Sequence, residues 1–205
     1  MARPRRGGIR VIAGSARGHQ LVTPAVARPT TDRVRESLFG SLEHGPGLVG
    51  RRVLDLYSGS GALAIEALSR GAERALLVER DRDAVRTIWQ NLAVTDFTDR
   101  ARVVVRSVLS FVNGEPPPDA PFDLVLLDPP YGEDEPADVL GRLVRPGWLA
   151  DEAFVVVERP AGAPPLALPE PLRPAWERRY GGTLLTVVTC AITDETSGTT
   201  DEQER

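Results

Sequence analysis

Three observations predict that this 205-residue chain is an α/β protein with a doubly wound, mostly parallel seven-stranded sheet. From Arg51 onward, short runs rich in valine and leucine alternate with stretches of helical periodicity, as expected of a parallel sheet covered on both faces. A glycine-rich SGSG loop (58–61) separates the first run from its helix. Two β-rich runs flank Gly181-Gly182, the turn of a final hairpin, so one strand should be antiparallel.

The segment that precedes the sheet is predicted to form a β-hairpin and a helix. Residues 9–13 and 20–23 alternate in polarity around a Gly-Ser-Ala-Arg-Gly turn. The following stretch, residues 29–45, has a threonine cap and an acid in its first turn. Its apolar residues fall on one helical face: Val34, Leu38, Phe39 and Leu42.

The remaining elements follow from the same patterns. Strands are predicted at 52–57, 75–79, 102–106, 122–128 and 153–158, and helices at 62–70, 83–94, 108–112 and 136–145. The last two strands are predicted at 174–180 and 183–192.

Composition indicates one soluble, cytoplasmic protein, with a monomer as the default. The apolar content is 41%, enough for one ordinary core, and no apolar run approaches the roughly 20 residues of a membrane span. The basic N-terminus lacks the apolar segment of a signal peptide. One cysteine and two distant histidines predict neither a disulfide framework nor a metal site.

The charge distribution divides the chain into three parts. The net charge is −4, but residues 1–31 contain six arginines and no acid, so the remainder carries −10. The predicted parts are a basic hairpin and helix (1–45), the main α/β domain (46–192) and an acidic, disordered tail (193–205).

The SGSG loop predicts a nucleotide-containing cofactor. Gly59 and Gly61 lie between a strand and a helix N-terminus, where backbone can approach a ligand closely. Glu79 ends the next strand, where a carboxylate can accept ribose hydroxyls. The loop also satisfies the dinucleotide pattern G-x-G-x-x-A, so NAD remains an alternative at this point. Asp55 inside the first strand needs a partner, and the amino group of S-adenosylmethionine suits it better than a pyrophosphate does.

The second motif is the Asp-Pro-Pro-Tyr tetrad at 128–131. Proline cannot continue the sheet, so Asp128 should be held stiffly at a strand end, beside the glycine loop. There, Asp128 and the Pro129 carbonyl could accept both hydrogens of an exocyclic amino group, while Tyr131 stacks on its base. This arrangement suits methylation of a base nitrogen, and NAD chemistry leaves the tetrad unexplained.

Together these stretches resemble the RsmD-type methyltransferases. The resemblance is carried, in order and spacing, by RVIAGSARGHQL, RPTTDRVRESLF, DLYSGSGALAIEALSRGA, the strand-ending Glu79 and FDLVLLDPPY, and it covers about residues 7–192. It implies the class I, Rossmann-like methyltransferase fold and S-adenosylmethionine as cofactor. The implied activity is methylation of the exocyclic N2 of one guanine in 16S ribosomal RNA, naked or in an assembled small subunit.

The resemblance also implies a set of site residues. Asp128, Pro129, Pro130 and Tyr131 would hold the guanine. Residues expected around the cofactor are Asp55, Tyr57, Ser58, Gly59, Ser60, Gly61, Glu79, Arg80, Ser107 near the adenine, and Thr31 within a covering segment at 30–35. Residues expected to contact RNA are Arg3, Arg5, Arg6, Arg10, Arg17, Arg33 and Arg35, although Arg33 and Arg35 could instead pair with nearby acids.

Three alternatives remain open from the sequence. An N6-adenine DNA methyltransferase would share the tetrad but should carry a target-recognition insertion, for which this chain has little room. A nicotinamide oxidoreductase would share the sheet. A catalytically silent RNA-binding assembly factor would share the fold and need no intact Asp128.

Overall fold

The computed structural model describes residues 9–23, 32–45, 47–130 and 136–191, and five α-helices and seven strands lie within them. The helices are α1 (Asp32–His44), α2 (Ala62–Ser69), α3 (Arg82–Val94), α4 (Val108–Val112) and α5 (Pro136–Leu143). The strands are β1 (Arg52–Leu56), β2 (Arg74–Glu79), β3 (Ala101–Val105), β4 (Phe122–Leu127), β5 (Leu149–Pro160), β6 (Leu172–Tyr180) and β7 (Thr183–Cys190).

The seven strands form one sheet in the order β3-β2-β1-β4-β5-β7-β6. The first five strands are parallel to their neighbours, and β7 is antiparallel to both β5 and β6. The chain therefore winds outward from β1 in both directions and ends with one reversed strand. The prediction of a doubly wound, seven-stranded sheet is confirmed.

The predicted N-terminal hairpin is present in a short form. Arg10 and Gln20 make a single antiparallel bridge, and the Leu21 N–H donates to the Ile9 carbonyl at 2.7 Å. Val11 also donates to the His19 carbonyl at 3.0 Å and accepts the Gly18 N–H at 2.9 Å. The N–H groups of Ile12 and Ala13 donate to the Glu66 carboxylate of α2, at 2.8 and 3.1 Å.

Helices cover both faces of the sheet. The hairpin, α1, α2 and α3 pack on one face, and α4 and α5 pack on the other with Trp148 between them. The hairpin belongs to the first of these cores, since four of its residues are buried within it: Ile9, Val11, Ala16 and Leu21. The described part of the basic N-terminal segment, the hairpin at residues 9–23, is therefore part of the core of the α/β domain.

Several element boundaries differ from the prediction by one or two residues, and the start of β5 differs by four. β5 begins at Leu149, four residues early, because Leu149 pairs with Phe122 before the register shifts. The acids Asp151 and Glu152 interrupt the apolar run there, which concealed the start of the strand from sequence patterns. α5 ends at Leu143, two residues earlier than predicted.

Several predictions fall on residues that are not described: the threonine cap of α1, the roles of Thr31, Tyr131, Arg3, Arg5 and Arg6, and the acidic tail at 193–205. Within the described ranges, no helix is both long and apolar enough to cross a membrane.

Candidate active site

The candidate site lies at the edge of the sheet where the parallel strands end. Leu56 pairs with Val78 of β2 on one side and with Leu127 of β4 on the other. This register places Tyr57, Glu79 and Asp128, each the last or the next residue of its strand, side by side. The prediction that β4 ends beside β1 is confirmed. We call this side of the sheet the catalytic edge.

The glycine loop needs its two glycines for different reasons. Gly59 and Gly61 have φ angles of 55° and 75°, in the left-handed region where a Cβ is strained. A Cβ on Gly61 would also lie 3.1 Å from the Leu77 side chain, so this glycine permits close packing. Among the described residues, a Cβ on Gly59 would meet only the Tyr57 carbonyl, at 3.9 Å. Within this part of the chain the loop is thus packed underneath and open above, as a ligand cradle requires.

Glu79 supports this loop from the end of β2. One carboxylate oxygen accepts the Gly59 N–H at 2.9 Å, and the other accepts the N–H groups of Arg80 and Asp81 at 2.8 and 2.9 Å. A carboxylate has about four acceptor positions, so three are used within the chain. The Glu79 side chain therefore stabilises the glycine loop, in addition to its predicted role as the acceptor for the ribose hydroxyls.

Asp55 is buried beneath the loop. One of its carboxylate oxygens accepts the Ala64 N–H at 3.3 Å. The pKa of Asp55 is raised to about 8, mainly because the carboxyl is buried; the Ala64 hydrogen bond opposes this shift, and the charges of Asp128 and Glu79 add to it. Three carboxyl groups thus converge at the catalytic edge.

This charge arrangement distinguishes between the two cofactors that the glycine loop permits. S-adenosylmethionine carries an ammonium and a sulfonium, and either positive charge would favour ionised Asp55. The pyrophosphate of NAD would add negative charge beside the same three acids. The open Gly59 cradle and the acidic cluster fit S-adenosylmethionine.

The tetrad is described for three of its four residues. Asp128 directly follows β4 and is half-buried, Pro129 is half-buried, and Pro130 is exposed. Tyr131 lies outside the described residues, so its stacking role stays a prediction. The charge of Asp128 acts on the buried Asp55 carboxyl and raises its pKa, so the two side chains belong to one site.

Three further cofactor candidates lie around the cradle or outside the described chain. Ser107 is the N-cap of α4, and its hydroxyl accepts the Ser110 N–H at 3.4 Å. The Arg106 N–H donates to the Glu79 carbonyl, which holds this segment next to β2. Arg80 is exposed at the end of β2. Thr31 is not described.

The hairpin arginines do not converge on the catalytic edge. The hairpin turn docks on the C-terminal end of α2, where the Ala16 N–H donates to the Ser69 hydroxyl at 3.0 Å. Arg17 lies in this turn, separated from the glycine loop by the length of α2, which is about 12 Å. Arg10 is exposed and pairs with Asp32 at 3.7 Å. Arg3, Arg5 and Arg6 lie outside the described residues.

The prediction that Arg35 contacts RNA is wrong. Its side chain is fully buried, and Nη2 donates to the Asp32 carboxylate at 2.6 Å and to the Arg10 carbonyl at 2.7 Å. Arg35 therefore anchors α1 to the hairpin. Arg33, two residues earlier, is exposed and remains a candidate.

Asn91 of α3 is a positioning residue that the sequence did not reveal as part of the site. Its fully buried amide donates to the Ser60 carbonyl of the glycine loop at 2.9 Å. The same amide accepts the Val22 N–H at 2.8 Å and donates to the Val22 carbonyl at 2.9 Å. One side chain thus joins the cofactor loop to the second arm of the hairpin.

Comparisons with a family model, with related sequences and with solved structures all indicate the same family. Residues 9–189 match the family model described as Conserved hypothetical protein 95. The chain is 42% identical over 154 residues to ribosomal RNA small subunit methyltransferase D of Escherichia coli strain K12, covering 74% of this chain and 75% of that protein. The corresponding protein of Haemophilus influenzae is 34% identical over 168 residues, covering 80% and 85%. The solved structure of the Escherichia coli protein yhhF has a TM-score of 0.79 at 36% identity, covering 90% of this chain and 99% of that one.

Proposed function

Because this chain belongs to the Conserved hypothetical protein 95 family, we propose that it transfers a methyl group from S-adenosylmethionine to the exocyclic N2 of a guanine in small-subunit ribosomal RNA. The fold is that of class I S-adenosylmethionine-dependent methyltransferases, and the sequence-based assignment to the RsmD-type family is confirmed. Two relatives named as small-subunit ribosomal RNA methyltransferases support the RNA substrate. The choice of guanine N2 rests on the resemblance and the tetrad.

A single observation carries the proposal. Asp128, followed by two prolines, lies at the same edge as the open Gly59 cradle and the buried Asp55 carboxyl. A group that binds hydrogens of an amino group is thus adjacent to a group that favours a cationic cofactor.

Catalysis of this methyl transfer would depend mainly on how the protein positions the base and the cofactor. An exocyclic amino nitrogen is a weak nucleophile because its lone pair is delocalised into the ring. Asp128 and the Pro129 carbonyl would accept the two N–H hydrogens, orient the lone pair towards the methyl group and favour tetrahedral geometry at the nitrogen. S-adenosylmethionine, when bound, supplies a methyl group on a positively charged sulfur. The nitrogen becomes acidic as it is alkylated, so the released proton needs no strong base, and orientation and electrostatics supply most of the rate.

The cofactor would be held by residues on β1, β2 and the loops that follow them. Asp55 would face its ammonium group and Glu79 its ribose. The other proposed contacts are Thr31, Tyr57, Ser58, Gly59, Ser60, Gly61, Arg80 and Ser107. Asn91 would keep the Ser60 peptide in place without touching the cofactor.

The proposed division of the chain follows from charge and packing. Residues 1–45 would provide the RNA arm and the cofactor cover, residues 46–192 the methyltransferase domain, and residues 193–205 a solvated tail. Since the described hairpin is core, the RNA contacts of the arm would come chiefly from Arg3, Arg5 and Arg6. Deletion of residues 2–8 therefore tests the arm, whereas deletion through residue 18 would expose the apolar core beneath the hairpin.

The activity test uses the purified full chain with methyl-labelled S-adenosylmethionine. Its substrates are unmodified small ribosomal subunits, naked 16S ribosomal RNA, and adenine-rich duplex DNA, each digested to nucleosides afterwards. Label in N2-methylguanosine from subunits or RNA is the expected result, and comparison of the two identifies the form that is recognised. Label in N6-methyladenine from DNA would replace guanine N2 with the rival target. Binding of NAD in place of S-adenosylhomocysteine would overturn the cofactor assignment.

A further inference from the structure

We propose that Arg33, Arg178 and Arg179 form an RNA-binding surface, here called the basic corner, which holds the phosphate backbone of the substrate beside the target base. The inference rests on the proposed function, because it assigns a second contact region to the same RNA. It adds two arginines of β6 that sequence patterns do not connect with the site.

Strand direction places the end of β6 at the catalytic edge. Tyr180 of β6 pairs with Thr183 of β7, and Thr183 pairs with Pro160 at the end of β5. β6 is therefore parallel to β4, and Arg178 and Arg179 lie at the edge where Asp128 lies. Three strand spacings separate β4 from β6, which is about 14 Å. An RNA whose base is at Asp128 can reach this corner within a few nucleotides.

Helix α1 brings Arg33 to the same place. The hydroxyl groups of Ser37 and Tyr180 are hydrogen-bonded, and Arg178 donates to the Ser41 hydroxyl at 2.8 Å. The helix therefore runs along β6 with its first turn at the catalytic edge. Arg33 precedes Ser37 by four residues, so it lies on the β6-facing side, one turn nearer to that edge.

The two strand arginines are exposed on the outermost strand of the sheet, on opposite faces because successive strand residues alternate, so the basic corner extends around the end of β6; both side chains are partly fixed in orientation. The guanidinium of Arg178 lies 4.9 Å from the centre of the Trp176 ring, and Nε of Arg179 donates to the Gly181 carbonyl at 3.1 Å. A guanidinium has five N–H donors in a planar fork that matches phosphate oxygens, and each of these contacts uses few of them. Fixing the side chain beforehand reduces the entropy lost when a phosphate binds.

Charge on the two sides of the edge favours the approach of RNA from this corner. The cofactor side contains the carboxylates of Glu79 and Asp128, which repel phosphates. Among the described residues, the exposed acids near the basic corner include Glu36 and Asp32, of which Asp32 pairs with Arg10 and Arg35. Glu177 is also exposed, but it accepts from Thr186 at 2.7 Å and pairs with Arg159 at 3.4 Å. Phosphate contacts of this kind fix the position of a nucleic acid without reading its sequence.

The test compares two double charge reversals in the full chain. Arg178→Glu with Arg179→Glu changes the basic corner, and Arg74→Glu with Arg86→Glu makes the same charge change at exposed positions of β2 and α3. The measured quantities are the Kd for unmodified small ribosomal subunits at several salt concentrations, the Kd for S-adenosylhomocysteine, and the midpoint of thermal unfolding. Arg179→Glu alone is included, because its loss breaks only an exposed contact.

The corner variant should bind subunits about tenfold to hundredfold more weakly, and its salt slope should fall by about 1.5 to 2, as for two lost phosphate contacts. Its S-adenosylhomocysteine affinity should equal that of the unchanged chain. Arg178→Lys with Arg179→Lys should recover most of the salt slope, because lysine keeps the charge. The Arg74 and Arg86 variant should match the unchanged chain.

Two outcomes overturn the proposal and are distinguishable. If the unchanged chain methylates subunits while both double variants keep its affinity and salt slope, the basic corner does not bind RNA and the proposed function stands. If the unchanged chain neither binds nor methylates subunits or naked ribosomal RNA, the proposed function fails and the corner proposal fails with it.

Discussion

The catalytic edge has two halves that are built in different ways. Around β1 and β2, here called the cofactor half, polar groups are paired inside the protein. Glu79 accepts three backbone N–H groups, and Asn91 binds both Val22 and Ser60. Around β5, β7 and β6, the edge presents exposed arginines. A small cofactor needs a frame fixed to a fraction of an ångström, whereas an RNA backbone can be held by adjustable charges. The two halves should therefore respond differently to substitution.

The largest effect is expected at the boundary between the halves. Asp128→Ala should lower the single-turnover rate by about a thousandfold, because one electrostatic contact to the reacting group is lost. Affinity for S-adenosylhomocysteine should change little, since the proposed partner of Asp128 is the base. Rapid-quench methylation of subunits and calorimetric titration of the ligand measure the two quantities.

A matched control for this variant is Asp119→Ala. Asp119 forms a surface ion pair with Arg102, away from the catalytic edge, so its loss should leave turnover unchanged. A collapse of ligand affinity in Asp128→Ala would assign Asp128 to the cofactor half. If the unchanged chain shows no methylation and Asp128→Ala keeps full function in cells, the silent assembly factor is supported.

Glu79→Ala should weaken the cofactor half alone. The Gly59 N–H loses its acceptor and the ribose loses its proposed partner, so the Kd for S-adenosylhomocysteine should rise roughly tenfold to hundredfold, equivalent to about 1–3 kcal/mol. The Kd for RNA should stay within about twofold, because phosphate contacts lie in the other half. A loss of thermal stability with an unchanged ligand Kd would limit Glu79 to supporting the loop.

The sheet could be predicted from the sequence because each of its signals is local. Apolar runs, helical periodicity and Gly181-Gly182 each specify structure within about ten residues. The glycine loop and the Asp-Pro-Pro-Tyr tetrad could be placed together because parallel strands end at one edge of the sheet. The pairing of β1 with β4 confirms this placement. The early start of β5 was missed because two acids break its apolar run.

The remaining site features depend on distant contacts. Asn91 lies 69 residues from Val22 and 31 from Ser60, so no local pattern reveals its role. Burial of Arg35 has a weak local signal, since Arg35, Leu38 and Leu42 share one helical face. The basic corner depends on α1 lying along β6, a packing that periodicity does not specify.

Asn91→Ala tests whether the frame of the cofactor half depends on the hairpin. It removes three hydrogen bonds and leaves the Ser60 carbonyl without this donor, so we expect a stability loss of about 1–3 kcal/mol. The Kd for S-adenosylhomocysteine should rise about tenfold as the loop relaxes, and the Val22 amide should exchange its hydrogen faster. Denaturant unfolding, ligand titration and hydrogen exchange measure these effects.

Thr87→Ala is the control for Asn91, because Thr87 is a buried polar residue of the same helix whose hydroxyl contacts only the Asp83 carbonyl. It should lower stability by less and leave the ligand Kd unchanged. If Asn91→Ala lowers stability but spares the Kd, Asn91 serves packing alone.

The last prediction is a pH dependence of cofactor binding, which belongs to the cofactor half. Asp55 has a pKa of about 8 in the folded chain, above the usual value of an aspartate, so it is protonated at pH 7. If the cofactor's ammonium binds the ionised carboxylate, binding must release that proton. The Kd for S-adenosylhomocysteine should therefore fall as pH rises from about 6 to about 8, by up to tenfold per pH unit, and level off above.

The same pKa fixes the sign for stability without ligand. The unfolded chain ionises Asp55 near pH 4 and the folded chain near pH 8, so the folded state holds more protons between these values. The contribution of Asp55 to stability consequently decreases as pH rises through this window.

Titration at pH 7 in two buffers with different ionisation enthalpies should show close to one proton released per ligand. Asp55→Asn should not release this proton, because asparagine does not ionise, whereas any protons released by the ligand itself are unaffected. Loss of the release in this variant would assign the proton to the Asp55 carboxyl. An unchanged proton release in Asp55→Asn would remove Asp55 from the cofactor half, whereas RNA affinity should be the same in both chains.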